Sequence, residues 1–488
     1  MNAHALSVRK ATLLNTWPLQ VGLGLAALLA WVQWAAAGLV GVDGYYHLKM
    51  AALMRGDLTP SFPWLPLTIL NPADYVDHHW LFHVLLLPFA GGDLVAGGKL
   101  ATVLFGAAAL TMAAWLLRAQ RVPGAFWWAV GLFTASSAFL YRLSMPRAQS
   151  LSLLWLLLAA HLLLQRRERW LLVLGVTYVW LYDAFPLLLV VAGIYVLAAR
   201  LLEGEWRPGA LLYPAVGLAL GLLLHPYFPH NLAFIAHHLV AKLDPTGVPV
   251  GNEWYPYSTG QLLENSGTAL LAFAAGVGAL GWSRRRLSLP TALMLGLSLV
   301  FGALLLQSRR FVEYFPAFAV LFCAFAWQPV LQGRRLPRSL RALAAVALLT
   351  LAAWTGQRAR SDLAAEPPPT QLAGAAHWLA ANTPPGTLVF QSDWDDFPRL
   401  FFHNSRNVYT VGLDPTYLQR ADLARYLLWV DLSQGRGLDV SAAIREQFGA
   451  DFAVSDLRHE AFLQRADDDP QMIELYRDAE SVIFAILD

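Results

Sequence analysis

Asp43 opens the run Asp43-Gly44-Tyr45-Tyr46-His47-Leu48-Lys49, which follows directly on the first long apolar stretch, residues 17–40. An acid, two phenols, an imidazole and an ammonium at the exit of an apolar run are costly in a bilayer unless they pair, bind something or meet water. A carboxylate in that position can take a proton from a hydroxyl or help to hold a divalent ion. Other polar groups stand at the ends of later apolar runs. Asp77-His78-His79 has metal-ligand residue types. Arg142 and Arg147 flank Pro146, Glu253 lies among Trp254, Tyr255 and Tyr257, and Arg309-Arg310 precede Glu313. Arginine presents a planar fork to phosphate oxygens, so an anionic lipid phosphate suits these guanidiniums.

Each group also has a plainer reading. Asp43 and Lys49 can form a simple interfacial ion pair. Adjacent helical residues point about 100° apart, so His78 and His79 do not easily share one ion. Arg142 and Arg147 can snorkel to headgroups. Glu253 can lie in an interfacial loop whose aromatics sit at headgroup level.

The elements that must position these groups are apolar helices. The 488-residue chain is 57% hydrophobic and 14% charged, against about 25% charged in an ordinary soluble domain. Repeated apolar runs of about 17–24 residues read as a polytopic α-helical membrane protein. A net charge of +2 gives no basis for a nucleic-acid partner. The one cysteine, Cys323, excludes an intrachain disulfide. Arg9, Lys10 and Ala35-Ala36-Ala37 imitate a signal peptide. The apolar stretch between them is about twice a 7–15-residue signal core, so it reads as an uncleaved first helix.

Arg9 and Lys10 place the N-terminus in the cytoplasm. Residues 41–97 then read as one long external loop with interfacial helices, because the apolar piece 80–90 is too short to span. Ten further spans follow, at 98–117, 123–140, 148–164, 169–183, 185–201, 209–225, 267–283, 289–306, 311–331 and 340–357, for about eleven in all. The basic clusters Arg118/Arg121, Arg166/Arg167/Arg169, Arg200/Arg207, Arg284–Arg286 and Arg334/Arg335/Arg338/Arg341 all fall inside. A span at 80–96 instead inverts the topology and places most of them outside. The transmembrane domain is therefore 1–357, and the composition changes at 358. Helices at 371–382, 421–432, 441–448 and 471–478 with strands at 387–391, 407–412, 452–455 and 481–487 imply a small external α/β domain over 358–488.

The Asp43–Lys49 run resembles the Asp-x-Tyr-Tyr-His-x-Arg pattern of oligosaccharyltransferase catalytic subunits. More broadly, the chain is similar to the GT-C superfamily of membrane glycosyltransferases. Ser308-Arg309-Arg310-Phe311-Val312-Glu313-Tyr314 resembles the late Arg-Phe element that holds a lipid-linked phosphate. Ser392-Asp393-Trp394-Asp395-Asp396-Phe397 is similar to the Trp-Trp-Asp-Tyr-Gly acceptor motif. Lys49 stands where that pattern has arginine. Arg142 to Gln149 occupies the stretch where the family carries a second acidic motif. These departures favour a GT-C transferase with an acceptor other than asparagine.

The resemblance implies transfer of a sugar from a polyprenyl-phosphate-linked donor at the outer face of an inner membrane. Asp43 is then the general base. If a divalent cation (Mg or Mn) takes part, Asp43 and Asp77 are its ligands. Arg310, Arg309 and Arg147 bind the donor phosphate. Tyr46, His47, Lys49, His78, His79 and Glu253 line the substrate pocket. Two other classes stay open. One is a non-catalytic scaffold that keeps the GT-C plan. The other is a transporter, against which the sparse mid-span charges and the lack of an internal repeat both weigh.

Overall fold

Helices form where the apolar runs lie. The computed structural model describes residues 2–243, 251–333, 337–437 and 439–487, with side chains omitted for 2–15 and 238–243. Arg334, Arg335 and the side chains of Arg9, Lys10 and His238 therefore fall outside the described residues. The chain divides into two compact units. One comprises Met1–Ala36, Lys99–Leu223 and Asn252–Glu366; the other comprises Ala37–Gly98, Leu224–Gly251 and Pro367–Asp488.

In the first unit, the helices Leu94–Ala119, Thr259–Ser283, Leu289–Gln307 and Arg338–Ala364 are long and apolar enough to cross a membrane. Shorter apolar helices include Gln149–Leu164, Gly209–Leu223 and Phe315–Leu331. Leu212, Leu271, Trp282 and Leu343 are exposed on these helices, as suits surfaces that meet lipid rather than water. The chain is a multi-pass membrane protein. Three expected spans have different limits. The first helix, Asn2–Gln33, ends before residue 40, and the turn that follows uses Gly41 at φ 70°. The run 123–140 breaks into Ala125–Phe133 and Ser137–Leu143. At this break Ser136 accepts from the Phe139 N–H and donates to the Asn265 carbonyl, so hydroxyls satisfy backbone groups freed within an apolar setting. The run 311–331 begins with a 3₁₀ turn, Arg309–Glu313, before the helix Phe315–Leu331.

At one end of these helices, basic turns are tied to one another. Arg207 meets Glu168 at 2.8 Å, and Arg166 meets Glu203 at 3.2 Å. The helices Leu171–Leu181 and Gly209–Leu223 approach very closely. A Cβ on Gly217 would lie 2.3 Å from the Leu172 carbonyl oxygen, and one on Gly175 would lie 3.0 Å from the Gly217 backbone. Small residues allow this approach, and helix association in lipid rests largely on such packing.

The second unit contains a five-stranded sheet: β1 (Leu388–Gln391), β2 (Val408–Tyr409), β3 (Phe452–Asp456), β4 (Met472–Arg477) and β5 (Ser481–Ile486), in the order β2-β1-β3-β5-β4. β2, β1 and β3 run parallel, while β5 pairs antiparallel with β3 and β4. Residues 471–478, expected as a helix, are therefore the edge strand β4. Asp478 explains the difference: its Oδ1 accepts from the Glu480 and Ser481 N–H groups, which builds a turn that returns the chain into β5. Hairpin pairing overrides a weak helical pattern. The helix that precedes this hairpin, Glu460–Asp468, was not anticipated.

Residues 41–97 do not behave as an open loop. Phe62, Trp64 and Tyr75 share a buried core with Phe397, Phe401 and Tyr409. Phe62 stacks on Tyr75 at 4.4 Å, and the Trp64 indole donates to the Ser405 carbonyl.

Substituting Gly217→Ala should destabilise the protein by about 1–3 kcal/mol, the usual range for an overpacked contact. Gly278→Ala, where the added methyl meets open space, should be near neutral. Thermal unfolding in detergent checks the pair. Equal melting temperatures would mean that the Gly217 approach carries no stability.

Candidate active site

Within the first unit, the ends of several helices bring a dense ionic cluster together. Arg142 closes the helix Ser137–Leu143, and Arg147 lies in the turn before Gln149–Leu164. Tyr182 caps Leu171–Leu181, Glu253 sits in a 3₁₀ turn, and Arg310 and Glu313 occupy the turn before Phe315–Leu331. Glu253 is the hub. Its carboxylate meets Arg142 at 2.7 Å, Arg147 at 3.0 Å and Arg310 at 3.2 Å. Arg142 Nε also donates to Glu313 at 2.6 Å. Arg310 donates to the Tyr182 hydroxyl and lies over the Trp254 ring, 4.7 Å from its centroid. The Ser308 hydroxyl fixes the Glu253 turn through its carbonyl at 2.9 Å.

Burial alone would raise the Glu253 carboxyl. Arg147, Arg310 and Arg142 outweigh it and hold the group well below the usual carboxylate range. Three guanidiniums meet Glu253 and Glu313, and Asp183 also acts on Arg310. The planar fork of each arginine matches phosphate oxygens. Arg309 is turned to the loop that follows the Asn252–Trp254 turn: it donates to the Tyr255 and Pro256 carbonyls and lies over Tyr257.

Within the second unit, Asp43 starts the helix Asp43–Met54, which is buried on nearly every face. Asp43 and Lys49 are half-buried, and burial pushes the Lys49 ammonium down. His47, one turn after Asp43 and on the same face, begins a buried chain. His47 Nδ1 lies 2.8 Å from His83 Nε2, and His83 Nδ1 lies 2.7 Å from Asp77 Oδ2. When both rings are neutral, the His83 Nδ1–H donates to Asp77 and its Nε2 accepts from His47. That arrangement makes His47 Nε2 an acceptor. Asp77 Oδ1 accepts from the His79 N–H. Burial raises the Asp77 carboxyl, but His83, His78 and the His79 N–H outweigh it and leave it lowered. The Tyr46 hydroxyl meets that of Tyr75 at 3.2 Å, His79 packs on His47, and His78 stacks on Phe234. Asp77 thus orients His83, a role that adjacency to His78 and His79 did not reveal.

The Ser392–Phe397 stretch leaves the C-terminal end of β1. Asp393 caps the 3₁₀ turn Trp394–Asp396, and Asp456 ends β3. Burial raises the Asp456 carboxyl, but hydrogen bonds from His459 and Arg458 outweigh it and bring it down to about 2. Among the described residues, Asp393, Asp456 and His459 form the one group of three or more side chains placed to hold a metal ion. The acid and imidazole of Asp456-Leu457-Arg458-His459, just past an expected strand, were the available signal for it.

No family model matches the chain, and no curated protein matches it by sequence. Solved structures do match. The archaeal oligosaccharyltransferase AglB from Archaeoglobus fulgidus, in complex with an inhibitory peptide and a dolichol-phosphate, superposes with TM-score 0.64 at 14% identity. The match covers 97% of this chain and 74% of that one. ArnT from Cupriavidus metallidurans, bound to undecaprenyl phosphate, gives 0.59 at 15% identity over 96% and 98% of the two chains. The arabinofuranosyltransferase AftD from Mycobacteria gives 0.60 at 16% identity over 97% and 41%. The chain has the GT-C glycosyltransferase fold.

Glu253 has a folded-state pKa below its unfolded value of about 4.3. Its contribution to stability is therefore complete above the unfolded value and is lost as pH falls through the folded one. The melting-temperature gap between wild type and Glu253→Gln should be largest near neutral pH and should close on acidification. A gap that widens toward acid would show that the carboxylate is not its source.

Proposed function

We propose that this protein is a GT-C-type glycosyltransferase that moves a sugar from a polyprenyl-phosphate-linked donor to an acceptor hydroxyl at the outer face of a cell membrane. The observation that carries this reading is the Arg142–Arg147–Arg310 cluster around Glu253, which gathers three phosphate-matching guanidiniums in one place. Two proteins that share the fold are recorded with such lipids, dolichol-phosphate in AglB and undecaprenyl phosphate in ArnT. The topology that goes with this reading has about eleven spans, a cytoplasmic N-terminus, and residues 358–488 outside.

The acceptor oxygen attacks the anomeric carbon, the bond from that carbon to the phosphate oxygen breaks, and Asp43 takes the acceptor proton. Arg310 and Arg147 neutralise the departing phosphate, so the leaving group needs no proton. Arg309, held by the loop of Tyr255 and Pro256, acts at the rim. Tyr46, His47, Lys49, His78 and His79 contact the acceptor or sugar, and the Asp77–His83 pair fixes the His47 tautomer. A Mg or Mn ion, if bound, would be held by Asp43 and Asp77 and would polarise the acceptor oxygen; Asp77 also accepts from His83 and the His79 N–H.

General-base assistance is worth about 10²–10⁴ in rate. Asp43→Asn should therefore lose transfer by about that factor while retaining the wild-type melting temperature. Arg310→Lys should weaken binding of polyprenyl phosphate, since an ammonium cannot grip two phosphate oxygens at once. Mass spectrometry of purified protein in nanodiscs with a panel of polyprenyl-phosphate sugars checks both. Wild-type turnover by Asp43→Asn would remove this residue from the chemistry. Absence of turnover with every donor would leave the fold without this activity.

A further inference from the structure

The sheet places a second set of chemical groups at the C-terminal ends of its parallel strands. From β1 the chain crosses to β2 on one side, and β3 lies on the other side of β1. In open parallel sheets such a reversal leaves a crevice between strand ends where ligands bind. Here the crevice is a cavity of about 180 Å³ whose lining includes Asp393, Trp394, Tyr426, Trp429 and His459.

Asp393 spends Oδ1 on the Asp395 N–H at 3.0 Å, and its Oδ2 lies 3.9 Å from His459 Nε2. That separation is too long for a hydrogen bond. It lies a few tenths of an ångström outside the separation of about 3.3–3.6 Å that two donors about 2.0–2.2 Å from a tetrahedral ion take, so a small side-chain rotation brings both onto one ion. The other ring nitrogen, His459 Nδ1, is held by Asp456 Oδ1 at 2.7 Å. A carboxylate behind an imidazole is the usual support of a metal-bound histidine, because it fixes the tautomer and aims the free nitrogen. Arg458 Nε, 2.6 Å from Asp456 Oδ2, anchors that carboxylate in turn. An independent sign comes from Asp396. It is 4% exposed, lies in the same acidic turn with Asp393 and Asp456 close enough to act on its charge, and leaves Oδ2 without a hydrogen-bond partner. Burial and the neighbouring carboxylates raise the Asp396 carboxyl, so this turn gathers more acid than its own hydrogen bonds satisfy.

We propose that Asp393 and His459 bind a divalent first-row transition cation at the mouth of this cavity, with Asp456 orienting His459. Mixed imidazole and carboxylate donors select zinc or manganese over magnesium. The ion's remaining position faces the Trp394–Trp429 cavity, where an oxygen-bearing ligand can complete its shell. The site is separate from the transferase reading and stands or falls independently of it.

The test uses the full chain in nanodiscs, stripped with a chelator, equilibrated with zinc and passed through a desalting column. Metal content by mass spectrometry should be about one zinc per chain. His459→Gln and Asp393→Asn should each lose that zinc, and Asp43→Asn should keep it. X-ray absorption on the loaded wild type should show one imidazole and an oxygen shell, which guards against variants that merely misfold. The proposal is overturned by a zinc-free wild type, by retention in both His459→Gln and Asp393→Asn, by loss in Asp43→Asn, or by a shell with sulfur or several imidazoles.

Discussion

Three guanidiniums around one carboxylate form the constraint on which the membrane unit turns. Without Glu253, Arg142, Arg147 and Arg310 would face one another where little water screens them. Glu253 meets all three, Glu313 takes a further donor of Arg142, and the Tyr182 hydroxyl takes one from Arg310. These groups come from helix ends far apart in sequence. The cluster therefore holds the helix ends together and gathers three guanidiniums in one place. Removing one partner of such a buried network leaves the others uncompensated.

The helix Asp43–Met54 faces the opposite difficulty, since polar side chains lie on an element that is buried almost all round. His47, His83 and Asp77 resolve it by satisfying one another in a line, at 5%, 0% and 1% exposure. Tyr46 and Tyr75 do the same with their hydroxyls. Buried polar groups that are fully matched specify a single arrangement. The His47 ring is therefore positioned by residues more than thirty places away.

Much of the architecture was legible because hydropathy over about twenty residues is a strong signal. The apolar runs became helices, and the break at Asp183–Pro186 appeared as a turn between Leu171–Leu181 and Leu187–Glu203. The alternation of strands and helices after residue 366 appeared as a mixed sheet. Short elements were less legible. Strand β4 read as a helix because its partner, β5, lies across a turn that local patterning does not weigh. The metal-type grouping at Asp393, Asp456 and His459 was missed because its members are separated by about sixty residues and meet only when β1 and β3 pair.

Sequence alone determined the membrane class, the basic turns, and which residue types could serve chemistry, because composition and periodicity are local properties. Only tertiary structure decided the partners. It turned Arg309 toward the loop of Tyr255 and Pro256 and Arg310 toward Glu253 and Tyr182. It made Asp77 the support of a histidine pair, and it drew Phe62, Trp64 and Tyr75 into a core with Phe397 and Phe401. Hydrogen bonds and ion pairs act over a few ångströms, and chain order does not say which distant groups will come that close.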